Sequence, residues 1–436
     1  VTRIPPGSRL PDTIADFLGS ARFSAALTQA ILGTVLLAGP ARALVGWPGL
    51  ISALATLVVF SALSLVAKRG DYEWRGLLPI SLLVFVGWCA LTVLWSRYQW
   101  ITVAGVLYQL TVMFLGVYVA IARDLIQIVR ASGDVLRLVL VVSISLEVLS
   151  GLLIDTPLRF LGIQGNLDVG GPIQGLLGGR NALGAVALIA AITFAVEYYT
   201  RSVRRGLALG SFVAAAIVVL LTRSPVIGGT FLVLAAAAVA LVGLRRTHLE
   251  SRRTWQVALL ALGLVGAGIV VALRGQLIVA LNAQSEFQLR AQLWRELLRL
   301  GGLNQFEGWG WLGWWRTDIV PYVFLTDRGT VSTDSALSSF VDLYFQTGVV
   351  GLVIFLTFAG LAFVRSWLLA SDKRSVSYLW TPLVLVVLGV VSLAESITIV
   401  EWGWLLLVVC ALKAAQDKSW RGVLASTSGG VPSSRI

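Results

Sequence analysis

The sequence predicts an all-α polytopic membrane protein, and three observations carry that expectation. Only 13% of its 436 residues are charged, against about 25% in an average soluble protein. Mean hydropathy is +0.86. The apolar residues come in continuous runs, without the period-2 alternation of a transmembrane β-strand. The net charge of +12 does not imply nucleic acid, because basic residues of membrane proteins gather on cytoplasmic loops facing anionic lipid. Cys89 and Cys410 both lie inside apolar runs, which predicts neither a disulfide framework nor a metal site. The first residues, VTRIPPGSRLPD, lack the pattern of a cleavable signal peptide.

A hydrocarbon core about 30 Å thick needs roughly 20 apolar residues per helix. By that length the chain gives twelve spans: 23–40, 44–67, 76–95, 100–122, 135–154, 181–199, 206–222, 225–243, 255–273, 341–364, 378–394 and 402–414. The seventh and eighth are separated only by LTRSP, Leu221 to Pro225; a single kinked helix there would invert all later topology. With the N-terminus placed inside, 23 of the 34 basic residues fall on inside segments, including all four lysines. Each short inside loop holds three or four, while short outside turns hold one or none, as the positive-inside rule requires. Both termini are then cytoplasmic. The expected organisation is a cytoplasmic N-terminus (1–22), spans one to nine (23–273), an extracytoplasmic loop (274–340), spans ten to twelve (341–414), and a cytoplasmic, disordered tail (415–436).

The long outer loop is the only sizeable polar stretch, and it is expected to be partly helical. On a helix of about 100° per residue, Leu289, Leu293, Leu297 and Leu300 share one side, extended by Trp294 and Leu298. Arg295, Glu296 and Arg299 fall opposite, as a solvated stripe. Arg290 falls in the middle of the apolar face, where a cation needs an anion or a set of carbonyls. It is a candidate to bind an anionic substrate or to form a structural ion pair. Arg223, at the outer end of span seven, is a second candidate, open to snorkelling as the alternative. Arg180, followed by Asn181, ends a glycine-rich outer loop and could join the same cluster. Arg316 is a further cation of the long loop.

Every outside cation is an arginine, whose planar fork suits bidentate phosphate binding better than lysine's point charge; coding bias would give the same pattern. Trp309, Trp311, Trp314 and Trp315 are expected at the membrane interface, with sugar stacking as the functional alternative. Asp334, Asp342, Glu395 and Glu401 flank outer ends of the last three spans, and any of them could act as a base. Glu147, inside span five, should pair with another buried polar group. No Walker-type loop, HExxH, CxxC or dinucleotide fingerprint is present, so an outer reaction would need a pre-activated donor.

Five short segments, taken in order, resemble the O-antigen ligase-like family of bacterial polysaccharide ligases and polymerases. They are GGRNALG (Gly178 to Gly184), LLTRSPVIGG (Leu220 to Gly229), RAQLW with GWGW (Arg290 to Trp311), SSFVDLYFQTGVVGL (Ser338 to Leu352) and AES (Ala394 to Ser396). The first matches the family at Asn181 and Gly184. In the second, Arg223 takes the family arginine's place, although the Arg and Ser order is inverted. The resemblance covers a little over half the chain. It implies a GT-C-like glycosyltransferase architecture and a polyprenyl diphosphate-linked glycan as donor, with arginines on the diphosphate. The acceptor would be a hydroxyl of a glycan or glycolipid, with no cofactor and no metal. Ligases of the family carry a histidine–asparagine pair where this chain has Leu337 and Ser338; Asp334, one turn earlier, could substitute as base, or the acceptor could need none.

The function these readings predict is an outward-facing glycosyltransferase of a bacterial cytoplasmic membrane that transfers or polymerises lipid-linked glycan. The site residues are Arg223, Arg290 and Arg180 on the diphosphate and Asp334 as catalyst, with Arg316, Glu395, Trp294 and Asn181 in support. The rivals are a flippase or other transporter, which would place polar, broken helices at mid-membrane, and a non-catalytic scaffold of envelope assembly.

Overall fold

The structure, a computed structural model, describes residues 12–68, 78–168, 170–280, 283–326 and 334–417. The first eleven residues, the loop arginine Arg328 and the tail beyond 417, on which some of the expectations fall, lie outside them. It is 81% helical, with no strand among the described residues, so the all-α class stands. The helices are α1 (Asp12–Gly19), α2 (Ala21–Leu36), α3 (Ala38–Ala67), α4 (Ile80–Leu91), α5 (Gln99–Ala122), α6 (Leu125–Val148), α7 (Arg180–Thr200), α8 (Arg205–Leu221), α9 (Pro225–Arg246) and α10 (Leu249–Ala272). They continue with α11 (Arg274–Ala280), α12 (Gln284–Gly301), α13 (Val323–Thr326), α14 (Ser339–Asp372), α15 (Trp380–Val391) and α16 (Glu401–Asp417).

Among the described residues, seven helices are long and apolar enough to cross a membrane: α3, α5, α6 with its continuation to Leu153, α7, α9, α10 and α14. The chain is thus a membrane protein with several spans. The expected spans at 23–40, 76–95, 206–222 and 378–394 fall on shorter apolar helices, so length alone does not carry the count of twelve. Around LTRSP there are two helices: α8 stops at Leu221 and α9 starts at Pro225.

The chain divides into two compact units. The first comprises Val1–Trp74 and Leu110–Thr222. Its centre is α7, whose buried positions run all round the helix; alanines at 185, 187 and 190 let α6 and α8 approach closely. Glu147 on α6 is buried, and its Oε1 accepts from the backbone N–H of Gln174 (2.6 Å) and Gly175 (2.7 Å). The expectation of a buried polar partner holds, and the partner is the glycine-rich loop's main chain. From the middle of α6, Arg137 bonds Glu197 near the end of α7, Asp134 (2.9 Å) and Ser211 (3.0 Å) and lies 4.9 Å over the Phe194 ring. That knot joins three helices, and removing one partner from such a buried pair costs about 3–5 kcal/mol.

The second unit comprises Arg75–Gln109 and Arg223–Ile436. Its axis is α14, which packs against α4, α9, α12, α15 and α16. α14 is not one regular helix, because Gly348 is left-handed (φ 69°) and breaks it. The break exposes backbone groups that a bilayer cannot satisfy, and the segment after α12 satisfies them. The carbonyls of Phe345 and Gln346 accept from the N–H groups of Trp309 (3.1 Å) and Gly310 (2.9 Å), and Val349 N–H donates to the Gln305 carbonyl (2.9 Å). Trp88 Nε1 donates to the Thr347 carbonyl at 2.9 Å. The loop between α12 and α14 is therefore stitched into a long apolar helix through main-chain bonds.

Candidate functional site

The site is built from α12, the first turn of α14 and the turn after α15. α12 is amphipathic as expected: Leu293 and Leu297 are fully buried, and Arg295 and Arg299 face out. Leu298 is exposed rather than part of the apolar face. Leu293 and Leu297 join Trp315, Tyr322, Leu325 and Phe345 in a small apolar core. Trp294 packs against that core and donates from Nε1 to the Ala336 carbonyl at 2.9 Å, tying α12 to the strand of chain that leads into α14.

The tryptophan-rich segment lies against the same core. Trp311 and Trp315 are buried in protein, which corrects the expectation of an interfacial position for these two. Trp315 Nε1 donates to Asp342 Oδ1 (2.8 Å), and Gln346 Nε2 donates to the same oxygen (2.7 Å). Gln346 Oε1 accepts from the N–H groups of Leu312 (2.8 Å) and Gly313 (3.0 Å). Asp342 and Gln346 stand one helical turn apart, so both face the loop and fix its course. Tyr322 is buried beside them, and burial, then the Asp342 carboxylate, pushes its phenol well above the ordinary value.

Arg290 projects from the same helix face. Its side chain is 11% exposed, and its guanidinium lies 3.3 Å from Glu286 Oε2 and 3.2 Å from Glu395 Oε1. Its Nε is buried with no hydrogen-bond partner among the described residues. Glu286 is its neighbour one turn back on α12. Glu395 comes from the turn after α15, where the main chain is anchored to α14: Ser339 donates to the Glu395 carbonyl from N–H (3.1 Å) and from Oγ (2.9 Å). Beside this anchor Leu337 is left-handed (φ 52°) and Ser338 is buried.

Arg223 belongs to the same end of the unit, by chain direction. α9 packs on α15, and Arg245 in the last turn of α9 bonds the carbonyls of Lys373 and Arg374, which precede α15. The two helices are therefore antiparallel, and the start of α9 lies at the end of α15 from which Glu395 extends. Arg223 is exposed and left-handed (φ 46°), with no hydrogen bond or ion pair among the described residues. Its backbone follows from its successors: Pro225 holds Ser224 extended, and Ser224 caps α9 by accepting from Ile227 N–H at 3.2 Å. The chain must turn at Arg223, at about 1–2 kcal/mol for a non-glycine residue.

The remaining candidates are placed as follows. Asp334 is exposed four residues before Ser338 and makes no hydrogen bond or ion pair among the described residues. Arg316 is a surface residue held by Asp318 through Nε and Nη2, both at 2.9 Å; that contact lowers the Asp318 carboxyl below its ordinary value. Glu401 is buried and accepts from Tyr108 Oη at 2.9 Å. Arg180 and buried Asn181 form the first turn of α7 in the other unit. Ser339 was not anticipated, and only its place in a short serine run could have pointed to it. Glu286 was legible one turn before Arg290.

Among the described residues no group of His, Cys, Asp and Glu has the spacing of a metal site. In comparisons with known proteins, no protein-family model matches the chain and no curated protein matches it.

Proposed function

We propose that the chain is an integral-membrane glycosyltransferase that moves a glycan from a polyprenyl diphosphate onto an acceptor hydroxyl. In this reading it crosses a bacterial cytoplasmic membrane twelve times in a GT-C-like arrangement, with the Arg290 end of the second unit facing out. The observation that carries the reading is the gathering of two arginines, one partly buried and one free, at one end of that unit. A diphosphate leaving group gains negative charge as the glycosidic bond breaks. Arginine forks fixed beforehand stabilise that charge without reorganising. In this reading Arg316 flanks the site, Trp294 holds α12 in place, and Asp334 or Glu395 supplies the base.

The test is surface polysaccharide in a deletion strain complemented with Arg290→Ala or Arg223→Ala at normal expression. Both variants should lose polymer and accumulate lipid-linked glycan, and Arg→Lys should remain defective because a point charge does not replace the fork. Normal polymer from both alanine variants would remove the reading.

A further inference from the structure

Transfer to a hydroxyl needs somewhere for its proton to go, and the sequence alone left several carboxylates eligible. Geometry separates them. Asp342 is spent on Trp315 and Gln346 in a closed apolar setting. Glu401 is buried under Tyr108. Asp318 is bound to Arg316 at the surface. Asp334 is exposed and touches none of the arginines among the described residues. The single histidine, His248, caps α10 just beyond the last turn of α9, at the opposite end of the unit. Glu286 sits beside Arg290 on the same helix as a local neighbour.

Glu395 differs from all of these. Its Oε1 is 3.2 Å from the Arg290 guanidinium, its side chain is 19% exposed, and its main chain is clamped to the first turn of α14. Resting on the function proposed above, we propose that Glu395 is the catalytic proton acceptor, parked on Arg290 until the donor diphosphate takes its place. With Glu286 and Glu395 both against it, the guanidinium is already over-neutralised, and an incoming diphosphate must displace a carboxylate. The one released from the α15 turn then stands next to the reacting centre. The acceptor oxygen forms its bond to the anomeric carbon as the bond to the diphosphate oxygen breaks. That electron pair leaves with the lipid diphosphate, and the hydroxyl proton moves to Glu395. Protonation removes a negative charge beside the leaving group at the moment the diphosphate gains one.

The experiment uses the full chain in lipid vesicles, with the lipid-linked glycan pool extracted from the deletion strain for transfer and undecaprenyl diphosphate for binding. Glu395→Gln should lower kcat by about 10²–10⁴-fold, the usual worth of a general base. The same variant should bind undecaprenyl diphosphate as tightly as the parent or several-fold tighter, because a competitor for Arg290 is gone. Glu395→Ala should regain rate on addition of formate, which replaces a proton acceptor but not a structural side chain. Transfer by Glu395→Gln within about threefold of an active parent overturns the assignment and leaves the glycosyltransferase reading standing. Loss of undecaprenyl diphosphate binding along with rate, or failure of formate to rescue, also overturns it, since Glu395 would then only position Arg290. An inactive parent removes both.

Discussion

A buried tyrosine hydroxyl shows how a single residue reports on the loop core. Tyr322 is fully buried, stacks edge-on against Trp315 at 5.3 Å and Phe345 at 5.6 Å, and its hydroxyl has no partner among the described residues. An unsatisfied buried hydroxyl costs about 1–3 kcal/mol, so Tyr322→Phe should raise the unfolding midpoint at pH 7. The pH dependence has a definite sign. The folded phenol keeps its proton to higher pH than the unfolded one, whose ordinary value is near 10. Above that value the unfolded chain binds fewer protons, so the Tyr322 contribution to stability is whole below pH 10 and is lost as pH rises. The gap between Tyr322→Phe and the parent should therefore widen from pH 7 to pH 10.5 in thermal unfolding in detergent. A constant or negative gap would show that the hydroxyl finds a partner. Residue chemistry of this kind was only half legible in the sequence. The 100° spacing put Arg290 on the apolar side of α12. Glu395, 105 positions away, could be paired with it only once α12, α14 and α15 had come together.

Helices were more legible than their interruptions. Apolar runs mark out the long helices because burial and bilayer both reward continuous apolar surface, and the run at 341–364 read as one span for that reason. The break at Gly348 has no local cause strong enough to declare itself; glycine in an apolar helix is ordinary in membranes. What makes the break stable is distant, since the partners for its free N–H and carbonyl groups come from residues 305–310. Gly348→Ala tests this at the scale of the element. A Cβ there would collide with the Phe306 carbonyl, in a backbone conformation that alanine disfavours. The loop must then leave, taking its hydrogen bonds with it, for a loss above about 3 kcal/mol. Limited proteolysis should cut between residues 302 and 322 in the variant and not in the parent, while α14 itself stays in the membrane. Equal resistance would mean that the stitch does not hold the loop.

At the scale of the whole molecule, the Arg290 end is expected on the outer side of the membrane. The fold itself fixes only that this end and the Arg245 end of the second unit are opposite, through the antiparallel packing of α9 on α15. The assignment of sides rests on arginine and lysine counts, a rule about insertion rather than about contacts. A labelling experiment decides it, and the chain is suited to one because Cys89 and Cys410 are fully buried and give little background. Leu303 is 70% exposed just after α12, on the loop side, and His248 is exposed at the start of α10, on the Arg245 side. In intact cells a membrane-impermeant maleimide should label Leu303→Cys at once and His248→Cys only after permeabilisation. The reverse pattern would put both arginines and Glu395 in the cytosol. A polyprenyl-linked glycan already carried to the outer leaflet would then be out of reach, and an outward-facing transferase would be ruled out whatever the chemistry of Arg290. Labelling of both sites from outside would instead point to a span miscounted between α9 and α12, with α10 as the suspect, since none of its apolar stretch is buried by protein.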